Sequence, residues 1–251
     1  MPRSARKLCD SGLYHIMLRG INRQRIFEDE EDCQKFIAVL KNYKAICEYQ
    51  VYAYCLMGNH VHLLLRAGKE ELSKVFKRIG SSYVYWYNWK YRRSGHLFQD
   101  RYKSEPVSDD EYLLAVIRYI HRNPLKAGIC KELGDYAHSS YNAYAGASED
   151  GLTDTGYVLG IVRREEFIEY HKAENEDCCL EMEESFRLTD KEAQAIIKKV
   201  TRCKNQAEFQ ALRVQDRSKY IAKLKDKGLS IRQICRLTGV SFGVARKDYS
   251  R

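Results

Sequence analysis

The sequence holds no Cys-x-x-Cys pair, although it has nine cysteines. An odd number of them, scattered along 251 residues, argues against a disulfide framework and for reduced, mostly buried thiols. The neighbouring Cys178 and Cys179 lie in an acidic stretch with no second ligand pair nearby, so they read as ordinary thiols rather than a metal site. No uninterrupted apolar run approaches the ~18 residues that would span a bilayer. The opening MPRSARKLCD also lacks the apolar segment of a signal peptide. The expectation is a cytoplasmic protein with no membrane partner. Internal repeats, low-complexity tracts and ATP-binding motifs are absent as well.

What is present is an ordinary globular composition with a basic excess. Hydrophobic residues make up 44%, charged residues 31% and aromatics 12%, far from the signature of disorder. The formal net charge is +9, which attracts polyanions such as nucleic acid or an anionic surface. The length fits one large domain, or a domain of common size with a smaller appendage.

Periodicity gives the organisation. GLYHIMLRG (12–20) reads as a strand, and FEDEEDCQKFIAVLKNYKAI places Phe36, Ile37, Leu40 and Tyr43 at helical spacing. YQVYAYCLM and HVHLLLRA flank the turn dipeptide Gly58-Asn59 and read as a hairpin. Residues 70–91 form an amphipathic helix, and HLFQDRYKSEPV is extended. Ser108 then stands as N-cap of a helix over DDEYLLAVIRYIHR that stops at Asn123-Pro124. The order β-α-β-β-α-β-α is that of an α+β ferredoxin-like βαββαβ sandwich, its sheet covered by helices on one face, with one further helix. DYAHSSYNAYAG reads as loop and the acidic RREEFIEYHKAENEDCCLEMEESF as a helical connector. The expected domains are therefore 1–146, a connecting segment 147–188, and an all-helical 189–251.

The histidines of GNHVHLLL raise the question of chemistry. On a strand, residues i and i+2 share a face, so His60 and His62 project together while Val61, Leu63 and Leu65 reach the opposite side. A strand His-x-His alone is a weak metal motif. Tyr119 and Asn123, four apart in RYIHRNPLKAG, share a face of the last helix, and the Asn123 amide oxygen is a hard ligand suited to magnesium or manganese. His15 and His96 could line the same site or serve as packing or hydrogen-bonding residues, and Tyr102 in QDRYKS is a second tyrosine to weigh against Tyr119.

At this point the sequence resembles the single-tyrosine HUH transposases, in their REP-associated tyrosine branch. The likeness runs over residues 5–146 through YHIMLRGINRQRIF, LMGNHVHLLL, GHLFQDRYKS, YIHRNPLKAG and SSYNAY. It implies that His60, His62 and Asn123 hold a divalent ion, Mg2+ or Mn2+, and that Tyr119 is the nucleophile. Many insertion-sequence relatives carry glutamine where this chain has Asn123. The implied activity is nicking and strand transfer on hairpin-forming single-stranded DNA, a REP-like palindromic element, through a 5'-phosphotyrosine link. The assembly it implies is a monomer or a dimer with exchanged tyrosine helices.

The DNA contacts expected are Arg19, Arg23 and Arg25 after the first strand, and Arg92, Arg93, Arg101 and Lys103 around the end of the long helix. These arginines and lysines are interleaved with tyrosines in the pattern that neutralises phosphates and stacks bases. At the C-terminus, SIRQICRL, a turn at Thr238-Gly239-Val240 and SFGVARKDY suggest a helix-turn-helix with Ile231, Ile234, Leu237, Val240 and Val244 as its small core. Its second helix would offer Arg246 and Lys247 to duplex DNA. Two rival functions remain: a non-catalytic, site-specific DNA-binding regulator derived from a transposase, and a metal-dependent phosphoesterase that forms no covalent intermediate.

Overall fold

The computed structural model describes residues 11–173, 179, 190–203 and 205–249, without the side chains of Lys191 and 247–249. The chain divides into two compact units, Met1–Met182 and Glu183–Arg251. In the first unit the order is β1 (Leu13–Arg19), α1 (Glu30–Cys47), β2 (Gln50–Met57), β3 (His60–Arg66), α2 (Leu72–Lys90), β4 (Lys103–Pro106) and α3 (Asp110–Lys126), followed by α4 (Tyr141–Ala145), α5 (Thr155–Ile161) and α6 (Arg164–Lys172). The sheet runs β2-β3-β1-β4 with every pairing antiparallel. This is the strand order of the ferredoxin-like sandwich.

Alternation along the strands sorts the core into two layers. Ile16, Leu18, Val61, Leu63 and Leu65 pack under α1 and α2 with Phe36, Leu40, Ile79 and Tyr83. Leu13, Tyr52, Cys55, Met57 and Leu64 pack against α3 through Leu113, Val116, Ile117 and Ile120. Burying each such aliphatic or aromatic side chain contributes about 1.5–3 kcal/mol. The second face is therefore covered too, which corrects the expectation of helices on one face. The further helix lies on the side to which His60 and His62 point.

Several local expectations shift. Asp109 rather than Ser108 caps α3: its carboxylate accepts from Tyr112 N–H at 2.8 Å, and Ser108 donates to that same carboxylate at 2.7 Å. The helix also runs through Pro124 to Lys126. Proline has no N–H to give to the Ile120 carbonyl, so one bond of the last turns is missing there. The Tyr-rich stretch is not loop throughout, because it contains α4 and buries Ser139, Ser140, Tyr141 and Tyr144. Residues 138–140 and 153–154 also hydrogen-bond the outer edge of β2, covering what would be an open sheet edge.

The described part of the expected connector is packed. Val158 of α5 and Phe167 of α6 are fully buried in the layer that holds α3. In the second unit, α7 (Asp190–Thr201), α8 (Gln206–Ala211), α9 (Val214–Asp226), α10 (Ile231–Thr238) and α11 (Phe242–Tyr249) enclose Ile197, Phe209, Ile221, Leu224, Ile234, Val240 and Ala245. Ser230 and Gln233 form a capping box at the start of α10, and Gly239 closes it in the left-handed conformation. In α11 the buried position belongs to Ala245, and Val244 is exposed, contrary to expectation.

Candidate active site

β3 pairs with β1 so that Arg19 faces His60, Met17 faces His62 and His15 faces Leu64. His15 and His62 are thus diagonal neighbours on one face of the sheet. Their rings meet edge to edge, His15 Nε2 lying 3.0 Å from His62 Nδ1. The His60 and His62 rings stand 5.0 Å apart and nearly perpendicular. From above, α3 lowers Tyr119 onto this face, its ring centroid 5.6 Å from that of His62 and 5.9 Å from that of His15, both edge-on. Tyr119 is buried, and Lys126, two turns further on, places its ammonium 4.9 Å from the Tyr119 ring centroid. Asn123 sits one turn beyond Tyr119 and donates its amide N–H to the Tyr119 carbonyl at 2.9 Å, leaving the amide oxygen unused by that bond.

Hydrogen bonding sets the protons. Asn59 donates Nδ2 to the Arg23 carbonyl at 3.3 Å, so its oxygen faces His60 Nδ1 at 2.7 Å. That oxygen can only accept, so His60 carries its proton on Nδ1 and has a bare Nε2. Burial pushes His15 down to about 3, and burial followed by the Arg19 charge pushes His60 down to about 4. His62 lies well below its ordinary value for the same first reason, with His15 and His60 adding to it. All three are neutral imidazoles near pH 7, the form that ligates metals. Among the described residues no group of three or more His, Cys, Asp or Glu could hold a metal. An amide oxygen such as that of Asn123 is a hard donor compatible with the two imidazoles.

The basic residues fall into two sets. At the His60 end of the sheet, the Gly58-Asn59 turn, loop 20–27 and loop 95–101 are tied by Gly20 N–H to Asn59 O, Ile26 N–H to Gly58 O, and Ile21 N–H to Leu97 O. A side chain at Gly20 would strike the Gln24 carbonyl, which fixes glycine at this close approach. Arg19, Arg23 and Arg25 gather at this end, with Arg23 in a left-handed conformation at φ 60°. Arg92 and Arg101 are exposed and Arg93 lies over the Tyr87 ring. Exposed Lys103 pairs with Met17 across β1 and β4. Arg25 pairs with Glu28 at 3.2 Å, and Lys90 is held by Asp29, Glu31 and Asp32. In the second unit Arg246 is exposed on α11, while the side chain of Lys247 lies outside the described residues.

Tyr102 is buried in the other core layer, its ring 4.5 Å from Phe76 and away from the histidines. Tyr83 and Tyr87 are buried too, whereas Tyr85 and Trp89 are exposed. His96 stands in an exposed loop, and Cys178 falls outside the described residues. Sequence reasoning missed Lys126, which seven residues after Tyr119 shares its helix face. It also missed the network behind α3. There His171 Nδ1 donates to the Phe167 carbonyl at 2.8 Å, so its Nε2 accepts from His121 Nδ1 at 3.0 Å. His121 Nε2 in turn accepts from the Ser140 hydroxyl at 2.7 Å, and Ser140 Oγ accepts from Tyr54 N–H at 2.9 Å. Every proton in this chain is placed, which fastens α3 to α6 and to β2.

Comparison with known proteins finds likenesses over this first unit. Residues 9–123 match the family described as "Transposase IS200 like". Within that class the chain resembles the REP-associated tyrosine transposases. A Haemophilus influenzae protein bearing that family name is 29% identical over 115 residues, a match covering 40% of this chain and 65% of the relative. The chain thus spans just under two thirds of that relative's length. A solved structure described as a REP-associated tyrosine transposase bound to a REP hairpin superposes with a TM-score of 0.52 at 16% identity, over 62% of this chain and 93% of the other. At that identity the likeness shows the fold.

Proposed function

We propose that the first unit is a metal-dependent DNA nickase and strand-transferase acting on hairpin-forming single-stranded DNA, with Tyr119 as nucleophile. The observation that carries this reading is the docking of Tyr119 edge-on to His62 at 5.6 Å, on the sheet face that also bears His60. His60 and His62 through Nε2, with the Asn123 amide oxygen, would hold Mg2+ or Mn2+. Such an ion supplies Lewis-acid polarisation of the scissile phosphodiester and a template for its geometry.

The remaining work belongs to the chain's own groups. Tyr119 is positioned by α3, and its oxygen forms a bond to phosphorus as the bond to the 3'-oxygen breaks. The strand end leaves as a 3'-hydroxyl, and a 5'-phosphotyrosine link conserves the energy of the diester for later transfer. A phenol with an ordinary pKa of ~10 is a modest nucleophile, and the Lys126 ammonium stands 4.9 Å from the Tyr119 ring centroid. Arg19, Arg23, Arg25, Arg92, Arg93, Arg101 and Lys103 neutralise the phosphates of the incoming strand. The second unit, with exposed Arg246 on α11 and Lys247 in the same helix, is a candidate module for duplex DNA.

The test is incubation with labelled hairpin-bearing single strands and Mn2+, followed by denaturing electrophoresis. A covalent protein–DNA adduct is expected, absent in Tyr119→Phe. An adduct that persists in that variant would sink the nucleophile assignment. Tight binding without any cleavage would instead favour the transposase-derived regulator.

A further inference from the structure

His15 donates nothing to the proposed metal set, yet it is fully buried at the centre of the site. Its Nε2 meets His62 Nδ1 at 3.0 Å, and its Nδ1 is a buried ring nitrogen with no hydrogen-bond partner. The residue paired with His15 across β1 and β4 is Glu105, whose carboxylate oxygen lies 3.9 Å from that Nδ1. This distance is too long for a direct hydrogen bond, so the carboxylate acts through its field. Tyr112 hydrogen-bonds the same carboxylate.

Two proton arrangements are open to the His15–His62 pair. In one, His15 Nε2 carries the proton and donates to His62 Nδ1. His62 then holds its own proton on Nε2 and has no lone pair to offer, while the bare Nδ1 of His15 faces a carboxylate with like polarity. In the other, His15 carries its proton on Nδ1, directed toward Glu105, and its bare Nε2 accepts from His62 Nδ1–H. His62 Nε2 is then bare, as Nε2 of His60 is made by Asn59. Only the second arrangement gives the two strand histidines matching free nitrogens, and only it places a positive dipole end against the Glu105 carboxylate.

We propose that His15, polarised by Glu105, is a positioning residue that fixes the tautomer and ring orientation of His62, as Asn59 does for His60. The benefit of this arrangement rests on the metal reading above, because a bare Nε2 on each histidine matters only to something bound there. A carboxylate–imidazole pair placed behind a ligating imidazole also raises its basicity, and loss of such support typically weakens metal binding by about 10- to 100-fold.

The experiment has two arms. Long-range nitrogen–proton NMR correlations on the metal-free full-length protein at pH 7.5 should show the ring proton on Nδ1 in His15, His60 and His62. A His62 proton found on Nε2 overturns the proposal without any variant being made. In the second arm, Mn2+ binding is measured by calorimetry on the wild type, His15→Phe, His15→Gln and Glu105→Gln, with circular dichroism confirming the fold of each. His15→Phe, which cannot accept the His62 proton, is expected to bind Mn2+ about 10- to 100-fold more weakly. Glu105→Gln should shift part of the His62 population to the other tautomer. His15→Gln, whose amide oxygen can accept that proton, should recover most of the affinity. Equal affinity in wild type and His15→Phe refutes the positioning role. A wild type with the expected tautomers but no Mn2+ binding leaves the positioning intact and removes the metal reading.

Discussion

Tyr119 is the residue on which the catalytic proposal turns, and its surroundings separate it from the other tyrosines. Tyr102 belongs to the opposite core layer, its ring tilted against Phe76 at 4.5 Å, on the other side of the sheet from the histidines. Tyr102→Phe is therefore expected to leave the yield of covalent protein–DNA adduct unchanged in the Mn2+ assay, whereas a drop to the level of Tyr119→Phe would reassign the nucleophile. Tyr119 was singled out in the sequence by its spacing to Asn123 and by the family resemblance. The edge-on contact with His62 was not, because it depends on α3 lying across the second face of the sheet. His15 shows the same divide: its position on a strand was legible, and its bond to His62 awaited the antiparallel register.

At the scale of elements, α3 has to hold Tyr119 and Asn123 at one fixed height above β3. Its own apolar face supplies part of that constraint through Leu113, Val116 and Ile120. The hydrogen-bonded chain from Phe167 through His171, His121 and Ser140 to Tyr54 supplies the rest. Ser140→Ala leaves His121 Nε2 and the Tyr54 N–H without partners in a fully buried setting. A loss of about 1–3 kcal/mol in unfolding free energy is expected from urea titration, with slower hydrogen exchange lost first along α3. An unchanged midpoint would mean that the chain contributes nothing to holding the helix. Its members are spread over residues 54, 121, 140, 167 and 171, too far apart for any local pattern to link them. The stretch 147–173 read as an acidic connector for the same reason: its surface charge is visible in sequence, and the burial of Val158 and Phe167 is not.

Across the whole molecule, two electrostatic consequences follow. His15 and His60 are driven down to about 3 and about 4 in the folded chain, against an ordinary value near ~6.5 when unfolded. The unfolded state therefore binds more protons between those limits, so stability rises with pH there. The stabilisation is fully present above about pH 6.5 and is lost as pH falls toward the folded values. The metal-free thermal midpoint should accordingly be flat from pH 7 to 8 and decline from pH 6.5 to 5; a flat profile through that lower range would mean that the histidines are not buried as neutral rings. The second consequence concerns salt. Each phosphate neutralised on a single strand contributes about 0.7 to the slope of log affinity against log salt. Arg23→Ala should reduce the slope for a hairpin-bearing single strand by about that amount. Arg246→Ala should leave it unchanged if the second unit serves duplex DNA, and a reduced slope would move α11 to the single-strand site. No helix among the described residues is long and apolar enough to cross a membrane.

The amino-acid sequence by itself determined the order of strands and helices in the first unit, the shared face of His60 and His62, and the turn of helix joining Tyr119 to Asn123. Those features follow from periods of two and of 3.6 residues, which are local. Only the tertiary structure decided which face of the sheet α3 covers, that the Asn59 oxygen meets His60 Nδ1, and that His15 stands between Glu105 and His62. These depend on strand register and on hydrogen bonds between residues remote in sequence, and a local pattern carries no record of either.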